Sequence, residues 1–390
     1  MGCGEFLAAL PFTLPASLST PYHEWMARPS SRRDFLTGKS AADALGDLTA
    51  PPTGGVPVPS SAGPPQEAAP RETYLLHLGR EAMACQFEAL LNAGQFANGP
   101  EAALAALDRV DELEAQLTVY RDLSEVMHLN KTAFRRPVPV ETSLFQLLSR
   151  AKQLSAEVGG AFDVTSGPLT KVWGFYRRQG RMPSDAEIAA AVALVGSELL
   201  ELNPEREEVR FLREGMELNL GACGKGYALD QAAETLLTAG VTDFCLHGGM
   251  SSVIARGKRL RGGEDGWKVA LRHPLKPDAR LAEFVLRDQA LGTSGSGTQF
   301  FHHGGKRYGH ILDPRSGRPA EGTLAATVIA PQAELSDALS TAFYVLGLDA
   351  AGEYLKSHPE IGALLVTAAD RSGKMELHPF NLPEGSWRTL

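Results

Sequence analysis

The sequence has too few cysteines for a disulfide framework: Cys3, Cys85, Cys223 and Cys245 are scattered through 390 residues, and none forms the close pair of a structural zinc site. They read as free thiols in a reducing compartment. Long apolar runs are also missing. No segment reaches the roughly 18 consecutive apolar residues of a membrane-spanning helix, so the chain reads as soluble or peripheral. A positive excess is lacking too. The formal net charge is −8, and no run of Lys and Arg forms a stripe that would follow a phosphate backbone, which argues against a nucleic-acid role. What is present, 43% hydrophobic and 22% charged residues, is the balance of a globular protein with one large core or two ordinary ones.

The N-terminal stretch carries SRRDFLTG at 31–38, where Arg32-Arg33 followed by Phe35-Leu36 resembles a twin-arginine export signal. The residues after it lack the compact apolar run of roughly 7–15 residues that such a signal needs, and by that criterion the protein stays in the cytoplasm. Gly54 to Pro70 is rich in Pro, Gly, Ser and Ala and reads as a flexible linker. The expected organisation is an N-terminal extension over 1–72 and a single folded domain over 73–390.

Within that domain, Leu104, Leu107, Val110, Leu113 and Leu117 recur at helical spacing after Pro100. A second helix is predicted from about Glu141 to Val158. A third starts at Ser184, with Glu187 in capping-box position. VRFL, MELNL, DFCLHG, WKVALR, AATVIA and ALLVTA read as strands between Gly-rich or Pro-rich turns. Without a regular βαβ period, the fold class is α+β.

Several segments carry polar groups suited to chemistry, each with a plainer reading beside it. LNLGACGKGYALD (218–230) passes from a strand through three glycines into a helix, exposing backbone amides where a helix N-terminus favours phosphate, with Lys225 at the mouth. The plainer reading is a tight turn with a solvated lysine. In SDALSTAFYVLG (336–347), Asp337 and Thr341 stand one helical turn apart on one face, a pair of hard oxygen ligands suited to Mg²⁺. They equally suit a dipole-favouring Asp and a Thr back-bonded to its own helix. His310, in GKRYGHILDPRSGRPA (305–320) near Asp313 and Arg315, is a candidate proton acceptor or a structural histidine. GGAFDVTSGPLTKVWGF (159–175) sets an Asp among apolar residues beside Trp173 and Phe175, which suits a flat heterocycle or simple core packing; Tyr120 has the same two readings.

Taken together and in order, GAFDVTSGPLTKVWGF, LNLGACGKGYALD, the GG of HGGMSSVIARG, WKVALRHP, TSGSG, HILDPRSGRP and SDALSTAFYVLG resemble the FAD:protein FMN transferase, or ApbE, family over roughly Met83 to Gly347. The resemblance implies an ApbE-like, T-fold-related α+β domain of mixed sheets and packed helices. It implies an Mg²⁺-dependent enzyme that moves FMN from FAD to a threonine or serine of a flavoprotein subunit in a membrane redox complex, with release of AMP. Family precedent places such an enzyme on the outer side of a membrane. By the same resemblance, Met83, Tyr120 and Ala161, Phe162 and Asp163 line the flavin and adenosine pockets. Asn219 and Lys225 lie on the FAD side; Ala222 (through its carbonyl), Asp337 and Thr341 hold the metal; and His310 accepts the proton.

Some positions depart from the family pattern. Asn219 replaces a usual Asp, Cys223 and Gly224 vary the loop, and Ser340 stands where an acidic residue often precedes the metal-binding Thr. AMACQFEAL (82–90) is a loose version of a Met-Gly-Thr opening. An FAD pyrophosphatase that uses water as acceptor, and a flavin-binding module without catalysis, are the alternatives these departures leave open.

Overall fold

The computed structural model describes residues 74–177, 179–261, 265–276, 278–295, 297, 299–369 and 374–390. The twin-arginine segment and the Pro-rich linker lie outside the described residues. Among the described residues the first strand starts at Leu75.

An eight-stranded sheet organises the domain. Its strands are β1 (Leu75–Ala82), β2 (Cys85–Asn92), β3 (Phe244–Gly248), β4 (Ser252–Arg256), β5 (Gln289–Gly295), β6 (Thr323–Ala330), β7 (Gly362–Ala368) and β8 (Met375–Phe380). They lie side by side in chain order, and every neighbouring pair is antiparallel. Both faces of the sheet are covered. Phe87, Leu246, Ile254, Val328 and Leu365 pack into a large core with the helices, whereas Cys245, Ala255, Leu291, Ile329 and Leu364, their alternates along the strands, pack against Trp267, Leu271 and Phe284 of a three-stranded sheet. Burial on both faces is why AATVIA and ALLVTA read as continuous apolar runs instead of alternating ones.

The helices are α1 (Gly99–Leu117), α2 (Glu125–Thr132), α3 (Thr142–Glu157), α4 (Gly167–Val172), α5 (Asp185–Val192), α6 (Gly224–Thr238) and α7 (Ala333–Ser357). The first and second predicted helices appear as α1 and α3 with nearly the expected ends. In α1 the inward face is Ala103, Ala106, Leu107, Val110 and Leu113; Leu104 points outward. The Ser184–Glu187 capping box is formed and starts α5. MELNL is not a strand. Its only ladder contact is the isolated bridge from Glu217 to Ser166, and Leu218 is held instead by both polar atoms of the Asn130 side chain. Its alternating pattern comes from the burial of Met216, Leu218 and Leu220 in loop packing.

Two glycines set the position of α7. A Cβ on Gly226 in α6 would lie 2.1 Å from the Ala333 carbonyl oxygen, and one on Gly292 in β5 would lie 2.5 Å from the backbone of Ser336. Glycine here lets a helix and a strand touch the first turn of α7 backbone to backbone. Asp230 of α6 completes the clamp by accepting the amides of Ala333 and Glu334, each at 2.8 Å, which satisfies two of the orphan donors at the start of α7. Burial pushes the Asp230 carboxyl up to about 6 against the pull of those two amides. Gly292→Ala must displace backbone rather than a flexible side chain, so we expect it to cost about 3 kcal/mol, the upper end for overpacking. A lowered midpoint in urea unfolding reads this; an unchanged midpoint means that α7 is not held this way.

Candidate active site

The clamp delivers Asp337 to a buried position between α6 and the sheet. Its carboxylate accepts the Gly226 amide at 2.8 Å and the Ser252 hydroxyl at 2.6 Å, both neutral donors. Ser251 Oγ lies 3.3 Å behind Ser252 Oγ, and because Ser252 gives its proton to Asp337 it accepts from Ser251. Burial raises the Asp337 carboxyl above the ordinary range, with Lys225, Ser252 and the Gly226 amide pulling the other way. A buried carboxylate bound by neutral donors alone is costly, and a cation beside it offsets that cost. The oxygens around it fit a hard divalent ion. Asp337, Thr341 and Ala222 line one cavity of about 270 Å³ together with Ser294, Lys225 and His310. One carboxylate, a hydroxyl and a backbone loop make a sparse donor set of the kind Mg²⁺ tolerates, since this ion keeps waters and substrate phosphates in its remaining positions. Among the described residues no cluster of three or more His, Cys, Asp or Glu side chains forms an alternative metal centre.

The histidine is oriented by the backbone. His310 Nδ1 lies 3.0 Å from the Gln299 carbonyl oxygen, which can only accept. The neutral ring therefore carries its proton on Nδ1, and Nε2 keeps its lone pair. Burial lowers the His310 pKa, overriding the Gln299 bond that raises it, and Lys225 lowers it further. Asp313, the neighbour of His310 in the sequence, is bound to Arg315 at 2.8 Å in a local ion pair.

A second cavity of about 370 Å³ adjoins the first, sharing Gly221, Lys225 and His310. Met83, Tyr120, Phe175 and Asn219 line it. Tyr120 is 64% exposed and lies 4.9 Å from Tyr176, centroid to centroid, with the Tyr176 hydroxyl tied to the Val119 carbonyl at 2.6 Å. The pair offers an aromatic surface at the cavity mouth for a flat ring. Met83 and Ala84 form the two-residue turn between β1 and β2, both at positive φ (48° and 59°). That turn type favours Asn and Gly, so this one is strained where it faces the cleft. Asn219 closes its own loop by accepting the Gly221 amide at 2.9 Å. This bond needs an acceptor oxygen and no charge, so the Asp-to-Asn departure leaves the turn intact. A third cavity of about 490 Å³ shares Lys225, Ser251 and Thr293 with the first and is lined further by Arg272, His273 and Met250.

Lys225, in the first turn of α6, borders all three cavities. A lysine at a helix N-terminus in the middle of the cleft is suited to hold phosphate oxygens. The sequence-read positions Met83, Tyr120, Asn219, Ala222, Lys225, His310, Asp337 and Thr341 thus converge on one cleft. The triplet does not join them. Ala161, Phe162 and Asp163 are buried, and none lines these cavities. The Asp163 carboxylate is used up by Ser155, by the Thr165 amide and hydroxyl, and by the Ser197 amide, as a knot between α3 and the loop before α4. Trp173 is likewise core, donating its indole N–H to the Gly317 carbonyl. Sequence reasoning gave no role to Ser252 and Asp230 and none to Ser294 individually within TSGSG, because their partners lie on other elements; for Ser252 the available signal was a serine beside an apolar strand.

The ApbE family model matches residues 83–365. The FAD:protein FMN transferase of Klebsiella pneumoniae is 33% identical over 260 residues, covering 66% of this chain and 79% of that protein. That of Escherichia coli K12 is 30% identical over 295 residues, covering 74% and 82%. Among solved structures, the ApbE protein of Thermotoga maritima superposes with a TM-score of 0.70 at 27% identity, covering 78% of this chain and 96% of that one. The apo flavinyl transferase ApbE of Pseudomonas stutzeri gives 0.70 at 26%, covering 80% and 96%.

Proposed function

The chain belongs to the ApbE family, and from that premise we propose that it moves the FMN half of FAD onto a hydroxyl of an acceptor protein. The observation that carries the reading is the convergence on one cleft of a buried carboxylate bound only by neutral donors, a histidine with its Nε2 lone pair available, and a helix-terminal lysine. Tyr120 and Tyr176 supply a surface for a flat ring, and Lys225 with the α6 N-terminus receives the pyrophosphate.

The reaction is a phosphoryl transfer and asks mainly for alignment and charge neutralisation. The acceptor oxygen forms a bond to the FMN phosphorus, the bridging P–O bond of the pyrophosphate breaks, and AMP leaves. His310 Nε2 takes the hydroxyl proton while its Nδ1–H stays on the Gln299 carbonyl. Asp337, Thr341 and the Ala222 carbonyl would hold a divalent cation, which when bound neutralises charge on the phosphates. The acceptor in this reading is a threonine or serine of a flavoprotein subunit in a membrane redox complex.

AMP release tests the class. Incubation with FAD and Mg²⁺ should yield AMP in step with acceptor modification, and little without acceptor. Equal amounts of free FMN and AMP with no acceptor present would make the protein a pyrophosphatase, and FAD binding without AMP would make it a binding module.

A further inference from the structure

Behind Asp337 and Thr341 lies a network of hydroxyls whose hydrogen-bond order is read from proton counts and contact lengths together. The Asp337 carbonyl oxygen can only accept; the Ser340 hydroxyl lies 2.8 Å from it and the Thr341 hydroxyl 3.3 Å. Ser294 Oγ, on β5, is 2.9 Å from Ser340 Oγ and 3.0 Å from Thr341 Oγ1. Each hydroxyl has one proton to give. Ser340 spends its proton on the carbonyl, at the shortest of these contacts, so it accepts from Ser294. Ser294 has then spent its own and can only accept from Thr341. The Thr341 proton points to Ser294, the nearer of its two acceptors. In the order Thr341 to Ser294 to Ser340 to the Asp337 carbonyl, each donor is used once. Both lone pairs of Thr341 Oγ1 are left unspent by these neighbours, beside the cavity.

We propose that Ser294 is a positioning residue that presents Thr341 Oγ1 as an oxygen donor to a divalent cation, with Ser340 closing the chain. The inference rests on the cation assigned above to Asp337 and Thr341. With the order reversed, Ser294 would donate into Thr341 and occupy a lone pair the cation needs. Ser340 is suited to its place because it both accepts and donates. An ionised carboxylate at that position would accept from Ser294 but could not pass a proton to the Asp337 carbonyl. Ser340 is buried, so water does not readily take its place between Ser294 and the Asp337 carbonyl, whereas Ser294 borders the cavity.

Titration of Mn²⁺ alone into the full chain, followed by calorimetry, reads this without turnover. Ser294→Ala is expected to weaken Mn²⁺ binding about tenfold, as loss of a group supporting a metal ligand does. The metal-free melting temperature should stay near that of the wild type, while the increment added by Mn²⁺ shrinks. Ser294→Thr, which returns the hydroxyl, should restore the affinity. If Ser294→Ala does not fold, Ser340→Ala carries the same expectation of weakened binding. Wild-type affinity in Ser294→Ala, or in Ser340→Ala where that variant stands in, overturns the proposal, as does weak binding by a folded Ser294→Thr. Absence of saturable Mn²⁺ binding to the wild type removes the cation site itself and the inference with it.

Discussion

Asp337→Asn is expected to lower FMN transfer by about a thousandfold, which corresponds to about 4 kcal/mol of transition-state stabilisation. The substitution keeps the size of the side chain and can keep both hydrogen bonds, with Oδ1 accepting the Gly226 amide and Nδ2 donating to Ser252. What it removes is the charge. That charge is buried, its hydrogen bonds come from neutral donors and the attraction of Lys225 does not offset its burial, so its loss should not weaken the fold; the metal-free Asn variant should melt no lower than the wild type. The sign of the pH dependence agrees. A carboxyl raised by burial binds its proton more tightly folded than unfolded, so its contribution to stability is full below the ordinary carboxylate range and falls as pH rises through the raised value. Steady-state transfer assays and thermal melts in the presence of a chelator measure the two halves. Full activity in the Asn variant would rule out a charge-bearing cation site at Asp337, and a large drop in metal-free melting temperature would mean that the carboxylate is structural.

His310→Gln should cost about a hundredfold to ten-thousandfold in the transfer step while FAD binding, followed by flavin fluorescence, changes little. Nε2 is the atom at stake, because Nδ1 is held by the Gln299 carbonyl. Burial lowers the pKa, so the ring is neutral at pH 7 and becomes charged only as pH falls through a value below 6.5. The wild-type rate should therefore be flat through the ordinary histidine range and decline only at pH below it. That acid limb should be missing from the residual activity of the Gln variant. A limb that persists unchanged would assign it to another group.

How much of this was legible in the sequence depended on how local the cause was. The capping box of Ser184 and Glu187 is a four-residue event and was readable. So was the pairing of Asp337 with Thr341, because one helical turn stacks them whatever the rest of the chain does. The motif order also carried the family, and with it most of the cleft. Three things were not readable. MELNL alternates like a strand because loop packing buries every second residue. Asp163 looks like a ligand-facing acid in an apolar stretch, but two of its four hydrogen bonds close a local turn on Thr165 and the other two go to Ser155 and Ser197, which tertiary structure places beside it. The hydroxyls of Ser252 and Ser294 reach Asp337, Ser340 and Thr341 from other strands. No spacing in the sequence marks such contacts. Gly226 and Gly292 belong to the same class: each is one glycine among many until the backbone of α7 is seen against it.

Where the FMN goes separates transfer from hydrolysis. Intact mass spectrometry of an acceptor flavoprotein subunit, after incubation with this protein, FAD and Mg²⁺, reads that destination directly. The expected result is a gain equal to one FMN in phosphoester linkage, absent when Asp337→Asn replaces the wild type and accompanied by AMP. An acceptor of unchanged mass beside accumulating free FMN and AMP would contradict transfer and leave hydrolysis as the reaction of this cleft.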